Sequence, residues 1–405
     1  MNFELNEEQI QVRDMVREFA AREVAPYIRE WDAKGEFHRE VLDRLGELGL
    51  LGLPIPEEYG GAGMDYVSLA LACAELEYVD TFMRVVMSVH VGLNSLALLQ
   101  WANEEQKQRF LAPQARGEKI ATFGLTEPNA GSDAGSIEST YTKDGSDFIL
   151  NGAKMWISLA DVADHFLVFA SGDRSQGTRA ISAFLLERGM PGFTTATIKG
   201  KLGVRAGNTG ELAFNNVRVP RENLLGEEHE GFKIAMSCID QGRFTVGAGA
   251  IGLIKACLDA SVKYANEREA FGAPIGHLQL VKQMIAKMVA GYEASYLLNM
   301  QAAELKNRGI RNTRETSLAK WYACDAAHQA SDDAIQVHGS YGFSNEYPVE
   351  RFWRNARGAV IYEGTREIHT LLQADYALGY RQDKALRCPQ PPAAGYVREA
   401  ALAAD

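Results

Sequence analysis

Three short segments of the chain combine residue types that could do chemistry: GLTEPNAGSD at 124–133, NGAKMWIS at 151–158 and AVIYEGTREIH at 359–369. The first follows an apolar run and could turn successive backbone N–H groups toward one anion, with Thr126 and Ser132 adding hydroxyl donors. The second could stack the Trp156 indole on a planar ring while Ser158 hydrogen-bonds at the ring edge. Each segment taken alone fits a bland alternative better: a surface loop for the first and a core tryptophan for the second.

In the third segment one carboxylate, Glu363, lies between an apolar run ending at Tyr362 and the pair Gly364-Thr365. A carboxylate held in such surroundings could remove a proton as a general base. The more common alternative is an acidic residue at a helix N-terminus, where unpaired backbone N–H groups favour negative charge.

The elements that must position these segments form three regions that differ in hydrophobic period. Residues 1–117 are predicted to be helical, and Leu69, Ala72, Leu76 and Val79 follow helical spacing. Residues 118–222 contain short β-rich runs between turns, typical of a compact antiparallel β domain or barrel. Residues 223–381 return to helical spacing, and 382–405 form a proline- and alanine-rich tail predicted to be flexible. The predicted fold class is therefore α+β.

Within these regions, four local features are predicted. The pairs Asp144-Gly145 and Asn151-Gly152 are typical of hairpin turns. One buried helical stripe should follow Leu278, Val281, Ile285, Met288, Tyr292 and Tyr296. A further helix should cover about 315–338 and stop at Gly339, and the last should cover about 364–379.

Composition excludes several functions. The net charge of −11 argues against a nucleic-acid binder, which needs a basic surface. No run approaches the roughly 18 apolar residues of a membrane span, and the acidic N-terminus does not resemble a secretory signal, so we expect a cytoplasmic protein without membrane insertion. The five cysteines form no CxxC pair, which favours reduced thiols and predicts no metal site.

The order and spacing of LTEPNAGSD, MWIS, REAFG, QVHGSYGF with EYPVER, and IYEGT resemble the acyl-CoA dehydrogenase family over about residues 5–380. Any one of these motifs would be weak evidence, whereas five in order are specific. The resemblance implies an N-terminal helical domain, a middle β domain and a C-terminal four-helix bundle. It also implies that FAD is bound between the β domain, the C-terminal helices and a neighbouring subunit.

The resemblance also implies roles for individual residues. In one subunit, residues of the β domain and the last helix should border FAD: Phe123, Leu125, Thr126, Ser132, Trp156, Ile157, Ser158, Thr365 and Glu367. From the adjacent subunit, the pyrophosphate and adenine should be held by Arg268, Phe271, Gln279, Gln336 and Gly339. The acyl-CoA substrate should contact Ser132, Asp240, Arg243, Tyr362 and Gly364.

By the same resemblance, Glu363 should remove the α-proton of an acyl-CoA while flavin N5 accepts the β-hydrogen as hydride. Electrons should then pass to an electron-transferring flavoprotein, and the enzyme should be a homo-oligomer, a dimer of dimers. Some relatives carry the base at the position of Gly242 instead. This chain has glycine there and glutamate at 363, which assigns the base to Glu363.

Three departures from the family pattern are Asn129 for a frequent glycine, Ser158 for threonine, and His338 in QVHGS. Arg84 matches a position where glutaryl-CoA dehydrogenases carry an arginine for a distal carboxylate. The alternative, an exposed helix-surface arginine, is the more common case. Two other functions stay open: an acyl-CoA oxidase, which oxygen consumption would reveal, and a catalytically inactive binding module, which would be colourless.

Overall fold

The structure is a computed structural model that describes residues 4–397. Its N-terminal part consists of eight α-helices: α1 Glu7–Phe19, α2 Ile28–Lys34, α3 Glu40–Glu47, α4 Tyr66–Val79, α5 Thr81–Val86, α6 Leu96–Trp101, α7 Glu104–Gln106 and α8 Ala112–Ala115. Three π-helical segments extend these helices: Ala20–Val24, Met87–Ser95 and Lys107–Leu111. The segment Met87–Ser95 joins α5 to α6, so one continuous buried helical run crosses the domain.

Local sequence explains why α1 and α4 begin and pack as they do. Asn6 accepts a hydrogen bond from the Gln9 N–H at 2.8 Å and completes a capping box at the start of α1. The Asp65 side chain caps α4 by accepting a hydrogen bond from the Ser68 N–H at 2.7 Å. The predicted apolar spacing of α4 is confirmed, since every residue of that pattern is buried: Leu69, Ala72, Leu76 and Val79.

The middle part is a sheet whose eight strands follow one another in the chain: β1 Ala121–Gly124, β2 Thr140–Asp144, β3 Asp147–Ser158, β4 His165–Ser171, β5 Ile181–Glu187, β6 Phe193–Thr197, β7 Thr209–Val219 and β8 Leu224–Leu225. The spatial order is β6-β7-β3-β2-β4-β5-β8, and β1 pairs with β4. Most pairs are antiparallel, whereas β4 pairs in parallel with β1 and β2. The predicted fold class is confirmed, with a sheet that is mixed in detail.

Of the two predicted hairpin turns, one is present. Gly145 lies between the paired strands β2 and β3 with φ of +63°. The prediction for Asn151-Gly152 is wrong, because both residues lie inside β3, where the register with β7 shifts between Leu150 and Gly152. Gly152 instead serves close packing, since a Cβ there would lie 2.4 Å from the Ser139 hydroxyl.

The C-terminal part contains five helices: α9 Gly231–Glu267, α10 Gln279–Asn307, α11 Thr313–His338, α12 Val349–Ala359 and α13 Arg366–Leu378. A two-stranded hairpin, β9 Glu269–Ala270 with β10 Ala273–Pro274, connects α9 to α10. Helices α9, α10 and α11 pack on one another, and α4 packs against α9. Gly339 ends α11 with φ of +58°, which confirms the predicted stop.

The stripe predicted on α10 is only partly buried. Val281 and Met288 are buried, whereas Leu278 precedes the helix and is exposed. The other members, Ile285, Tyr292 and Tyr296, are half-buried within the single chain. Apolar periodicity therefore found the helix but overstated its burial.

The described part of the predicted flexible tail contacts the body of the protein. Arg387 forms an ion pair with Glu230 at 2.7 Å, and the Ala393 N–H donates to the Asn307 carbonyl at 3.0 Å. These contacts anchor residues up to 397. The remainder of the predicted tail, 398–405, lies outside the described residues.

Two helical stretches are long and apolar enough to span a membrane by composition, Thr81–Trp101 and Gly231–Glu267. Within them, 89% and 72% of the most apolar window is buried inside the protein. Both stretches are therefore core helices, although neither was recognised from the sequence as an unusually apolar run.

Candidate active site

Glu363 lies in the short connection between α12 and α13. Its φ is +55°, and that of Gly364 is +98°, so the chain turns through left-handed backbone at both residues. Thr365 then caps α13, accepting a hydrogen bond from the Ile368 N–H at 3.4 Å. Glu363 is thus outside the helix rather than an acid of its first turn. A left-handed glutamate is uncommon and needs support from its surroundings.

The carboxylate of Glu363 points into the protein. Its Oε2 atom is buried and has no hydrogen-bond partner among residues 4–397. A Cβ at Gly242 of α9 would lie 2.0 Å from this oxygen and 2.7 Å from Cδ2 of Leu93. Glycine at 242 therefore leaves the space that the carboxylate uses, and Leu93 of the π-helical segment borders the same space.

Burial raises the pKa of the Glu363 carboxyl to about 7, against the opposing effect of three nearby cations. These cations are Arg84, Lys320 and Arg243. A carboxyl with this pKa is partly ionised at neutral pH and is still a stronger base than an exposed glutamate. An unpartnered, buried carboxylate of this kind is suited to abstract a proton from a bound molecule.

Arg84 is buried, only 1% exposed, which corrects the expectation of a helix-surface arginine. Its Nε donates to Glu77 Oε2 at 2.6 Å, and its Nη2 donates to the Tyr362 hydroxyl at 2.5 Å. Its Nη1 donates to the Ser88 hydroxyl at 3.1 Å. Burial of the guanidinium is possible because Glu77 balances its charge and these bonds use three of its five donors.

Asp240 and Arg243 lie one turn apart on α9, and Arg243 faces the same connection. Arg243 contacts Asp240 Oδ1 at 3.2 Å and donates through Nε to the Glu363 carbonyl at 3.3 Å. The Thr313 hydroxyl donates to Asp240 Oδ2 at 2.5 Å. The structure thus brings four predicted substrate residues to Glu363, namely Arg84, Arg243, Tyr362 and Gly364, and links Asp240 to it through Arg243. Ser132 is exposed on the β-domain loop.

A second group of predicted residues shares the β domain. Trp156 is 57% exposed, and its φ of +63° turns its backbone into the left-handed region near the end of β3. Ile157 is buried, and the Ser158 carbonyl accepts from the Thr122 hydroxyl at 2.6 Å. Phe123 packs against Phe169, with ring centroids 5.2 Å apart. An exposed indole beside hydroxyl groups offers a flat surface for a planar ring.

A buried ion pair that sequence reasoning missed holds the 124–133 loop against β3. Lys154 Nζ lies 2.6 Å from Glu127 Oε1, and both side chains are almost fully buried. Glu127 also accepts from the backbone N–H groups of Glu138 and Ser139. The Met155 N–H donates to the Thr126 carbonyl at 2.9 Å. These bonds fix Thr126 next to the strand that carries Trp156.

A third group lies at the hairpin end of the C-terminal helices. Phe271 is 94% exposed with φ of +54°, and the Arg268 guanidinium lies over the Tyr341 ring at 5.9 Å. The other predicted members, Gln279, Gln336 and Gly339, are exposed. Among residues 4–397 no hydrogen bond or ion pair joins this group to the Trp156 surface.

Two features complete the picture of the site region. Thr365 and Glu367, at the start of α13, help line a shallow cleft with His328 and Arg357. In the part of the chain that the structure describes, no group of three or more histidine, cysteine, aspartate or glutamate side chains is arranged to hold a metal ion. A buried carboxylate without a hydrogen-bond partner and, on the β domain, an exposed indole are compatible with an enzyme that moves a proton and uses a planar cofactor.

Comparison with known proteins agrees with that class. Three family descriptions match in succession: "Acyl-CoA dehydrogenase, N-terminal domain" over 6–118, the middle domain over 122–217 and the C-terminal domain over 229–378. An acyl-CoA dehydrogenase of Bacillus subtilis is 42% identical over 375 residues, covering 93% of this chain and 99% of its own length. The chain belongs to the acyl-CoA dehydrogenase family, and it is an oxidoreductase acting on CH–CH groups.

Solved structures give the same result. A chain in a study of the electron transferring flavoprotein of Acidaminococcus fermentans has a TM-score of 0.92 at 43% identity, covering 93% of this chain and all of its own. Butyryl-CoA dehydrogenase from Megasphaera elsdenii has a TM-score of 0.92 at 39% identity, with coverage of 93% and 100%. A glutaryl-CoA dehydrogenase from Mycobacterium smegmatis in complex with FADH2 has a TM-score of 0.88 at 32% identity, with coverage of 95% and 97%.

Membership of this family implies FAD, and the residues of the β domain fit it. A tryptophan is usually mostly buried, whereas Trp156 presents a free face. The nearby hydroxyls of Thr126 and Ser158 belong to half-buried residues and could hydrogen-bond to ring heteroatoms. The exposed Arg268 could donate to a pyrophosphate, a geometry that suits a guanidinium.

Proposed function

We propose that the protein oxidises a short acyl-CoA to the trans-2-enoyl-CoA with FAD, and that Glu363 is the base. The observation that carries this proposal is the buried Oε2 of Glu363, which has no partner in the described residues and faces the space at Gly242. A carboxylate left without a hydrogen bond is costly unless a ligand uses it.

In this mechanism the residues around Glu363 bind and orient the thioester. The Glu363 backbone N–H donates to the thioester carbonyl, which makes the α-proton more acidic and stabilises the developing enolate. Glu363 Oε2 takes the α-proton. The bound acyl chain excludes water from the carboxylate, which raises its pKa further and strengthens the base. When held by Thr126, Trp156 and Ser158 of the β domain, FAD would supply the two-electron oxidant that takes up the β-hydrogen as hydride.

The experiment that tests this function is anaerobic addition of butyryl-CoA or glutaryl-CoA to the purified protein. The protein should be yellow, should release one FAD per subunit on denaturation, and should bleach when the substrate is added. FMN in place of FAD, or a colourless protein, would contradict the proposal. We further propose an electron-transferring flavoprotein as the acceptor, and rapid oxygen consumption during turnover would identify an oxidase instead.

We also propose that the enzyme works as a homo-oligomer, a dimer of dimers. Large apolar side chains of the C-terminal part are exposed in the single chain: Phe271, Leu280 and Phe343. A neighbouring subunit would cover such a surface, and the family resemblance places Arg268 against the neighbour's FAD. A monomer that retains FAD stoichiometrically would contradict this arrangement.

The burial of Arg84 favours a second, narrower candidate, an acyl group with a distal carboxylate. The guanidinium has five N–H donors, and Glu77, Ser88 and Tyr362 engage three of them among the described residues. Tyr362 adjoins Glu363 in the chain, so its bond to Arg84 joins the guanidinium to the segment that carries the base. Two donors are therefore left for a carboxylate at the far end of a short acyl chain.

If Arg84 binds a distal carboxylate, glutaryl-CoA should outcompete butyryl-CoA by at least about 10-fold, the scale of one charge-assisted hydrogen bond. The double variant Arg84→Met with Glu77→Gln should erase that preference without leaving Glu77 as an unpaired buried charge. Competition between the two substrates in flavin bleaching measures the effect. An unchanged preference in the double variant would remove Arg84 from substrate recognition.

A further inference from the structure

Lys320, in the middle of α11, is a buried lysine that the mechanism above does not use. It is 1% exposed, and burial lowers the pKa of its ammonium. No carboxylate of residues 4–397 lies within ion-pair distance of its ammonium. The Lys320 Nζ donates to the Gly364 carbonyl at 2.8 Å. A buried ammonium without an ion-pair partner is costly, so its retention needs a reason beyond packing.

The packing of α9 on α11 puts this lysine next to the catalytic connection. A Cβ at Gly247 of α9 would lie 3.3 Å from the backbone N and Cα of Lys320. Glycine at 247 therefore lets α11 approach α9 closely. Because α9 also carries Gly242 and Arg243, this approach places the Lys320 side chain among the groups that surround Glu363.

The connection is held from two helices at successive carbonyls. Arg243 of α9 donates to the Glu363 carbonyl, and Lys320 of α11 donates to the Gly364 carbonyl. Glu363 and Gly364, the two residues whose carbonyls accept these bonds, both have left-handed backbone. Such a conformation persists at glutamate only where its surroundings over-determine it, and buried charge-assisted hydrogen bonds do so.

We propose that Lys320 is a positioning residue of this enzyme. By holding the Gly364 carbonyl, it keeps the left-handed turn that directs the Glu363 carboxylate into the space beside Gly242. The proposal rests on Glu363 being the base. It adds that the direction of the base is set from α11, by a residue that does not touch the substrate.

The charges that face Glu363 give this role a signature in pH dependence. Cations face it from three elements: Arg84 of α5, Arg243 of α9 and Lys320 of α11. Lys320 in turn faces Cys324, Glu363, Arg243 and Arg84. Two neutral groups complete the surroundings: His369 of α13, whose pKa burial lowers, lies beside Gly364, and the buried thiol of Cys73 on α4 faces Glu363. Loss of the Lys320 ammonium removes one of three cations that favour the ionised carboxylate. The pKa of Glu363 should then rise, and the acid limb of the rate should move to higher pH.

The test is Lys320→Met, a side chain of similar volume without charge or donor, measured by single-turnover flavin reduction from pH 5.5 to 9 on the FAD-loaded protein. We expect the rate at neutral pH to fall about 10- to 100-fold, as small misplacements of a catalytic group do. The acid limb of the rate should move to higher pH by about 1 unit, which is the lower end of the effect that a neighbouring charge has on a pKa. FAD content and acyl-CoA affinity should stay near wild type.

Two further variants keep the test informative. Lys306→Met removes another lysine that is 1% exposed, one that donates to Gln241 at 3.0 Å rather than to the connection. It should lower the melting temperature but leave the acid limb in place. If Lys320→Met does not fold, Lys320→Gln removes the charge and keeps a donor, and its acid limb should also rise.

The outcomes separate this inference from the function it rests on. If Glu363→Gln is inactive but Lys320→Met keeps the wild-type rate and pH profile, the role of Lys320 is overturned and Glu363 remains the base. A Lys320→Met enzyme that is only less stable, with an unmoved acid limb, also overturns it. A fully active Glu363→Gln enzyme refutes the proposed function itself.

Discussion

Glu363→Gln is expected to lose flavin reduction by at least about 10²- to 10⁴-fold, the usual contribution of a general base. Glutamine keeps the size of the side chain, but its amide cannot accept the α-proton. The loss should reach the upper end of this range because the Oε2 position is buried and no bulk water can substitute. Anaerobic stopped-flow bleaching after addition of acyl-CoA measures the rate directly.

FAD content and acyl-CoA binding should remain close to wild type in this variant, because the amide has the same shape as the carboxylate. Glu346→Gln provides a matched control, since Glu346 is an exposed glutamate before α12 and its replacement should leave the rate unchanged. Full bleaching by Glu363→Gln in a single turnover would remove Glu363 as the base, whatever the family resemblance implies.

The raised pKa of Glu363 also predicts a trade between activity and stability. The pKa of the carboxyl is about 7 in the folded protein and about 4.3 in an unfolded chain. A group whose folded pKa is raised contributes its stability below the unfolded pKa and loses it as pH rises through the folded pKa. The loss between pH 4 and 8 is of the order of 3 kcal/mol, so Glu363→Gln should melt at a higher temperature than wild type at pH 8.

The three-part architecture could be predicted because hydrophobic period is a local property of the chain. The spacing of Leu69 to Val79 marks α4 without any knowledge of its neighbours. Gly339 likewise stops α11 through its own backbone preference. The rule that an Asn-Gly pair marks a turn failed at Asn151-Gly152. Gly152 is needed for close packing on Ser139, and the sequence alone does not distinguish such a glycine from one that is needed for a turn.

Burial of charged residues could not be predicted, because it depends on partners far along the chain. Arg84 is joined to Glu77 seven residues earlier, and to Tyr362 across 278 residues. Because most arginines in proteins are exposed, the sequence favoured a surface position for Arg84, whereas its contacts show that it is buried. The sequence contains no local signal for such a pairing.

The same reason explains why the supporting residues of the site were missed. Lys154 and Glu127 lie in two segments that were singled out because of the neighbouring residues Trp156 and Thr126, and their ion pair has no signal in the sequence. Lys320 lies on a helix predicted only by its period and its end. Residues that contact a ligand belong to recognisable motifs, but residues that hold those motifs in place are identified only by three-dimensional contacts.

The strongest test of where the substrate lies is to move the catalytic glutamate from position 363 to position 242. A Cβ at 242 would lie 2.0 Å from Glu363 Oε2, so Gly242→Glu alone should clash with Glu363. In Glu363→Gly the carboxylate is absent, and glycine at 363 adopts the left-handed backbone more readily. A glutamate at 242 can then direct its carboxylate into the vacated space from α9 instead of from the connection.

We expect Glu363→Gly with Gly242→Glu to recover at least about 10-fold in flavin reduction over Glu363→Gly alone. Recovery should be partial, because orientation errors cost rate steeply and Leu93 Cδ2, 2.7 Å from the new Cβ, must move. Movement of Leu93 should also change the preferred acyl chain length, which a series of straight-chain acyl-CoA substrates measures. Gly242→Gln in the Glu363→Gly background is the matched control, with equal bulk but no base, and should recover nothing. A double variant no faster than this control would mean that Gly242 does not face the α-carbon of the bound substrate.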